Sequence, residues 1–277
     1  HFDLASMPID GAASQHLQIE AMKLACADVY RFVAEPAAMD VSPAQMLASA
    51  YLASRARLID PQRAQDFGAG NPARGGTIYL TAADASGMMV SFIQSNYMGF
   101  GSGVVVPEFG LSLQNRGHGF SLDAASANIV APGKRPFHTI IPAFLTKGGA
   151  PVMSFGVMGG HMQPQGHLQT LVRMLDYRQQ PQAACDAPRW RWNAGIVNNE
   201  DGHMDPTVVQ GLRDLGHETE VLRDVLSRSV AQVMTTPVVT VDPVADVRRI
   251  ARVMLEYHLP ALPVVDDDGV MKGIITI

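Results

Sequence analysis

The chain has 277 residues, 47% of them hydrophobic and 17% charged, with a formal net charge of −5. That is long enough for one large or two ordinary domains with a real core, and too apolar for a disordered chain. The slight acidity and the lack of a Lys/Arg run argue against a nucleic-acid partner. No apolar run reaches the ~18–20 residues of a membrane span, so no membrane is expected. Cys26 and Cys185 are too few for a disulfide framework or a zinc site. They read as two buried free thiols, with a single disulfide as the alternative. The chain starts on His1 and stops within an apolar run at Ile277, so both ends read as cut.

Taken in order, residues 15–33 have helical apolar spacing (Leu17, Ala21, Leu24, Ala25, Val29). Ser42-Pro43 opens a second helix that runs to Asp60-Pro61. The stretch FGAGNPARGG (67–76) is a Gly/Pro-rich loop. Residues 77–84 and 88–95 form a hairpin about Ala85-Ser86-Gly87. A short strand pair follows at 104–106 and 110–113, then strands at 137–145 and 152–157. Helices are predicted at 165–177 and 206–215, the latter stopped by Gly216. In PRWRW, Trp190 and Trp192 alternate with arginines. A nucleic-acid stacking strip is one reading, and a strand with one buried face is the preferred one. His161 and His167 lack the glutamate of a zincin motif and read as loop or helix-end histidines, so no metal is expected. Beyond residue 226 the rhythm changes: a strand at 238–241, an amphipathic helix at 243–257, and strands at 262–265 and 271–277 about an Asp-rich turn.

One position carries chemistry. Gly75-Gly76 precede Thr77, which opens a strand. Self-cleavage before such a threonine frees an α-amine that serves as base for its own hydroxyl. Spacing alone makes this no more than a strand start.

The surrounding words give it weight. GGTIYLTAADASGMMVSFIQSNYMGFGSGVVVPEFGLSLQNRGHGFSL, PGKRPFHTIIPAFL, FGVMGGHMQPQGHLQ, DAPRWR and the upstream HLQIEAMKLACAD resemble the gamma-glutamyltransferase (gamma-glutamyltranspeptidase) family over residues 1–224. The resemblance implies an α+β fold, an αββα sandwich of the N-terminal nucleophile hydrolase type. It implies autocleavage into large and small subunits of one precursor, with 1–76 the end of the large subunit and 77–224 the small, catalytic one. It makes Thr77 the cleavage site and nucleophile. Ser95 becomes a hydroxyl residue bonding the nucleophile region, or else a plain strand serine. Gly159 and Gly160 become the oxyanion hole. No metal or organic cofactor is implied.

The departures from the family's pattern bear on the substrate. Gly119 stands where the family places the acid that binds the substrate's amino group, and Tyr97 where it places an asparagine. His138 and Thr139 replace a carboxylate-binding serine pair, and Arg116 stands where glutamine is usual. Losing the acid removes the group that reads an ammonium, and Arg116 with His138 adds cationic capacity. The pattern resembles the acylase-like branch. It implies hydrolysis of a gamma-glutamyl or related acyl amide, preferred over transpeptidation. Residues 226–277, with VMTTPVVTV, LPVVDDDG and GIIT, resemble the first part of a CBS domain (α/β), which implies an adenine nucleotide as a possible ligand near Thr276. The alternative is a catalytically inactive relic, or a regulatory protein with that segment as nucleotide sensor.

Overall fold

The computed structural model describes residues 1–67, 76–200 and 203–222, and the two strands 261–265 and 271–276. The chain divides into two units: residues 1–95 with 116–223, and residues 96–115 with 224–277.

In the first unit, helix α1 (Ala12–Phe32) is the central element. From Ser14 to Glu20 it is buried on every face, polar side chains included, so amphipathic spacing understates its burial. Those polar groups are satisfied internally, as burial requires. Ser14 Oγ donates to Pro8 O (3.0 Å) and Gln15 Oε1 accepts from Trp190 Nε1 (2.8 Å). The core joins Ile19, Met22 and Cys26 of α1 to Trp190, Trp192, Val197, Met204, Val209 and Leu212.

The second expected helix is two: α2 (Pro43–Met46) and α3 (Ser49–Ala56). Ser42 caps α2 in a capping box with Gln45. The chain then turns at Leu47 and Ala48, and Tyr51 and Arg55 of α3 reach Asp28 of α1, at 2.9 and 3.1 Å. A tertiary anchor thus outweighs a helix-permissive sequence.

β1 (Gly76–Ala83) pairs with β2 (Met89–Tyr97) as expected. Asp84 fixes the turn, its Oδ1 accepting from Ser86 N (2.9 Å) and Met88 N (3.1 Å). β5 (Ala143–Lys147) and β6 (Ala150–Phe155) form a second antiparallel pair. The hairpins are cross-linked: Thr81 Oγ1 bonds Ser154 Oγ, and Ser91 Oγ donates to Phe155 O. The strand expected over 137–145 is confined to its end. Pro142 has no N–H to give a ladder, and Ile141 N donates to the Gln163 side chain instead (3.3 Å).

α4 (Met162–Leu175) begins three residues before its predicted start, with Pro164 tolerated in the first turn. The short α5 (Pro181–Asp186) follows. β7 (Trp190–Asn193) pairs antiparallel with β8 (Ile196–Glu200) through a turn at Ala194 and Gly195, both at positive φ. β8 runs through α6 (Pro206–Asp214) to the parallel β9 (Glu218–Leu222). Trp190 and Trp192 point one way from β7 and are 1% and 4% exposed. The arginine–tryptophan alternation is thus a strand with one buried face, not a stacking strip. Cys26 is buried and free as expected, whereas Cys185 is exposed.

In the second unit, β3 (Val105–Val106) pairs with β4 (Leu111–Ser112), and β10 (Ala261–Val265) with β11 (Met271–Thr276) in an antiparallel hairpin. Both hairpins match expectation. The rest of residues 226–277, including the expected strand 238–241 and helix 243–257, lies outside the described residues, as does loop 68–75. Among the described residues the strands form four two-stranded ladders and one three-stranded sheet, with mixed α and β content, rather than two broad packed sheets.

Candidate active site

Thr77 is the second residue of β1 and half-buried. The neighbouring strand β2 carries Ser95, whose carbonyl accepts from Arg116 Nη2 (3.4 Å). Arg116 opens a 3₁₀ turn ending at Gly119. Close by, His138 is held below the usual histidine range, first by partial burial of its ring and then by the charges of Arg116 and Arg135. Its Nδ1 accepts from Ile140 N (3.3 Å), which leaves Nε2 as the N–H. The expectation that His138 adds positive charge is therefore corrected. At neutral pH it is an uncharged donor, because burial and two guanidinium groups oppose its protonation. Arg116 supplies the cation. Thr139, beside it, is buried.

The site is closed where the family's acid would stand. A side chain at Gly119 would place its Cβ 2.9 Å from Phe137 O, and Gly119 O already accepts from Asn128 Nδ2 (2.6 Å). An acidic side chain at 119 would therefore require Phe137 O to shift. Gly156 shows the same logic, since a Cβ there would fall within the Tyr79 ring of β1.

Gly159 and Gly160 sit at φ 112° and 59°, a region open to glycine. Their carbonyls accept from Met162 N (3.1 Å) and Gln163 N (3.0 Å), which starts α4. Their own N–H groups meet no acceptor among the described residues. Two such amides before a helix N-terminus favour an anion. Behind them, His161 Nδ1 bonds Tyr30 Oη (2.8 Å). Burial, then Arg191, pushes the His161 pKa down to about 4, so the ring is neutral.

Tyr97 belongs to the second unit and ends β2 at φ 77°, an uncommon and strained conformation for an aromatic residue. Strain at a candidate position is a signal that sequence reading could not supply.

A cleft of about 250 Å³ lies between Val33–Pro36 and Arg135–His138. One wall is fixed by Glu35, which takes Arg135 in a fork (2.8 and 3.0 Å). This pairing holds Glu35 at a pKa of about 2. Sequence reading missed this wall, since Glu35 and Arg135 are a hundred residues apart.

One further cluster has metal-like composition. His16, Glu20 and His217 are buried, with candidate ligand atoms within 4.8 Å of one another. Lys23 Nζ, 2.8 Å from Glu20 Oε1, already supplies the charge a cation would bring. His16 Nε2 donates to Asp60 O (2.8 Å), so its Nδ1 accepts from His217 Nε2 (2.7 Å). Lys23 also reaches Gln65 O and His217 Nδ1. Each of these donors has an acceptor, so the cluster is a structural lock.

This architecture has relatives. The gamma-glutamyltranspeptidase family matches residues 1–255, and the chain belongs to that family. It is 38% identical over 220 residues to the oxamate amidohydrolase proenzyme of Klebsiella pneumoniae, covering 78% of this chain and 42% of that protein. It is 36% identical over 220 residues to the glutathione hydrolase-like YwrD proenzyme of Bacillus subtilis, covering 76% and 40%. Among solved structures, cephalosporin acylase from Bacillus halodurans superposes with a TM-score of 0.71 at 47% identity, covering 80% of this chain and 41% of that one. The chain thus spans about 40% of the length of these relatives, which carry hydrolase and acylase names.

Proposed function

We propose that the chain is the catalytic portion of an autoprocessing amidohydrolase that cleaves an acyl amide whose acyl group bears a carboxylate. Cleavage between Gly76 and Thr77 would leave the stretches on either side as large and small subunits, completing an αββα sandwich. Thr77 Oγ attacks the amide carbonyl and its hydroxyl proton passes to the freed α-amine. The C–N bond breaks as that proton moves to the leaving amine, and water hydrolyses the ester of Thr77. The amides of Gly159 and Gly160 hold the oxyanion, and Ser95 supports the nucleophile's strand. Arg116, with His138 and Thr139, receives the acyl group.

The observation that carries the substrate reading is Gly119. A side chain at 119 would meet Phe137 O at its first carbon, and Arg116, in the same 3₁₀ turn, supplies a guanidinium. This favours a plain carboxylate acyl group, such as oxamate or a glutaryl amide, over the γ-glutamyl group of glutathione, and hydrolysis over transpeptidation. The name of the oxamate amidohydrolase agrees with that preference, while that of the glutathione hydrolase-like relative does not.

N-terminal sequencing and intact mass, beside Thr77→Ala, test the nucleophile. A cut between Gly76 and Thr77 that vanishes in the variant supports it, and an uncut precursor under conditions where a relative processes refutes it. Competing glutathione against a glutaryl amide tests the substrate; a clear preference for glutathione overturns it.

A further inference from the structure

Two buried polar atoms on α4 have no use in that mechanism. Gln163 is 1% exposed. Its Oε1 accepts from Ile141 N (3.3 Å), while its Nε2 has no partner among the described residues. His167 Nε2 is in the same condition. Its ring packs against Phe155, with centroids 5.0 Å apart. Residues four apart on a helix are neighbours, ~5–6 Å between Cβ atoms, so the two orphaned nitrogens share one face of α4.

The other α4 glutamines make the contrast. Gln165 and Gln169 each use both ends of their amides on the backbone of β7. A buried donor left unpaired is costly, and two on one face mark a place built for an acceptor. The place is also well situated. Gln163 N donates its helix-starting bond to Gly160 O, and the Gln163 side chain holds the segment that carries His138 and Thr139. Burial keeps His167 below the usual histidine range, and in its Nε2–H tautomer the ring offers an N–H rather than a charge.

We propose that Gln163 Nε2 and His167 Nε2 form a binding subsite that takes an acceptor oxygen of the substrate's acyl group, its carboxylate in the smallest substrates. The subsite deepens the amidohydrolase reading above and rests on it. Gln163 then has two tasks: its Oε1 ties the His138–Ile141 segment to α4, and its amide hydrogens read the ligand. His167 narrows the choice to groups that accept from a neutral imidazole.

The test is a titration of the intact chain, carrying ¹⁵N-labelled glutamine and histidine, with oxamate and separately with glutarate. The Gln163 side-chain NH₂ pair, assigned by its loss in Gln163→Glu, and His167 Nε2 are expected to move saturably. Gln163→Glu keeps the acceptor for Ile141 N and removes the donor, so it should bind oxamate at least tenfold more weakly. His167→Phe should weaken it several-fold. Thermal melts show whether each variant is folded, and the wild-type signals decide the matter if one is not. Oxamate binding that leaves both wild-type signals unmoved and the folded variants unaffected overturns the subsite and leaves the amidohydrolase reading standing. Absence of binding by either probe also overturns the subsite, whereas the Gly76–Thr77 cut judges the wider reading by itself.

Discussion

Gly119 shows how much a single residue can exclude. A Cβ there meets Phe137 O at 2.9 Å, closer than side-chain carbons approach backbone oxygen. Gly119→Asp, the change that would restore the family's acid, is expected to lower stability by about 1–3 kcal/mol through overpacking without gaining glutathione hydrolysis. Thermal melts and a glutathione assay check both halves, and a stable, glutathione-active variant would show that the backbone yields. The cysteines give a second prediction at this scale. Burial pushes the Cys26 thiol up to about 11, so little thiolate exists at mildly alkaline pH, while Cys185 is exposed. Iodoacetamide on the folded protein should label Cys185 alone, as peptide mass mapping would report. Equal labelling of Cys26 would contradict its burial.

Among the elements, α4 and β7 are joined by an uncommon device. Gln169 accepts from Trp190 N (3.0 Å) and donates to Trp190 O (2.8 Å). Gln165 does the same with Trp192, at 2.7 and 3.0 Å. Four residues of helix rise ~6 Å and two residues of strand ~6.6–6.8 Å, so side chains at i and i+4 match backbone groups at j and j+2. The amides act as a substitute strand along the edge of β7, and so fix α4 and the glycines at its start. Gln169→Leu would strand a buried N–H and C=O and should cost about 2–4 kcal/mol, two unsatisfied groups at ~1–3 each with partial relaxation. Chemical denaturation measures this, and a loss under ~1 kcal/mol, the lower end for one such group, would show that water or repacking fills the role. A sequence reader sees QPQGHLQ as a polar helix start, because nothing local reveals that its glutamines face a strand edge.

For the whole molecule, the lock of His16, Glu20, Lys23 and His217 ties α1 to the turn after α6 and to the Asp60–Gln65 segment. Ala64 N also donates to Leu215 O (2.5 Å). Residues before and after Thr77 are therefore held together by bonds that cutting the chain would leave intact. The His217 pKa is pushed to about 3 by burial, then by Lys23 and His16. The sign follows from linkage: the folded protein resists a proton that the unfolded chain accepts near pH ~6.5. Stability is full above that pH and falls as the solution is acidified toward pH 3, by about 1.4 kcal/mol for each pH unit in that window. His161, at about 4, adds to the same slope. His217→Gln should be less stable than the wild type at neutral pH, yet lose less on acidification to about pH 4, inside the window set by the two histidine values. Equal slopes for both proteins would remove His217 from the acid response.

How much was legible follows from these cases. Most elements from α1 to β9 could be read because apolar spacing, caps and turn residues are local signals, but α5, β8 and β9 were not among them. Thr77, Gly159 and Gly160 stand out as candidates because whole motifs surround them. The strand expected at 137–145 failed because Pro142 and the Gln163 side chain redirect its hydrogen bonds, and the long second helix broke because Asp28 draws α3 aside.

By itself, then, the sequence determined the family, the candidate nucleophile, the paired glycines and the departures at 97, 116, 119, 138 and 139. Only the tertiary structure shows what surrounds those departures. It set Phe137 O against any side chain at 119, left Arg116 as the cation with His138 neutral, and turned His16, Glu20 and His217 into a lock. The reason is physical: motif and period report conformation and residue type along the chain, whereas charge state, free volume and pairing depend on atoms brought together from distant parts of it.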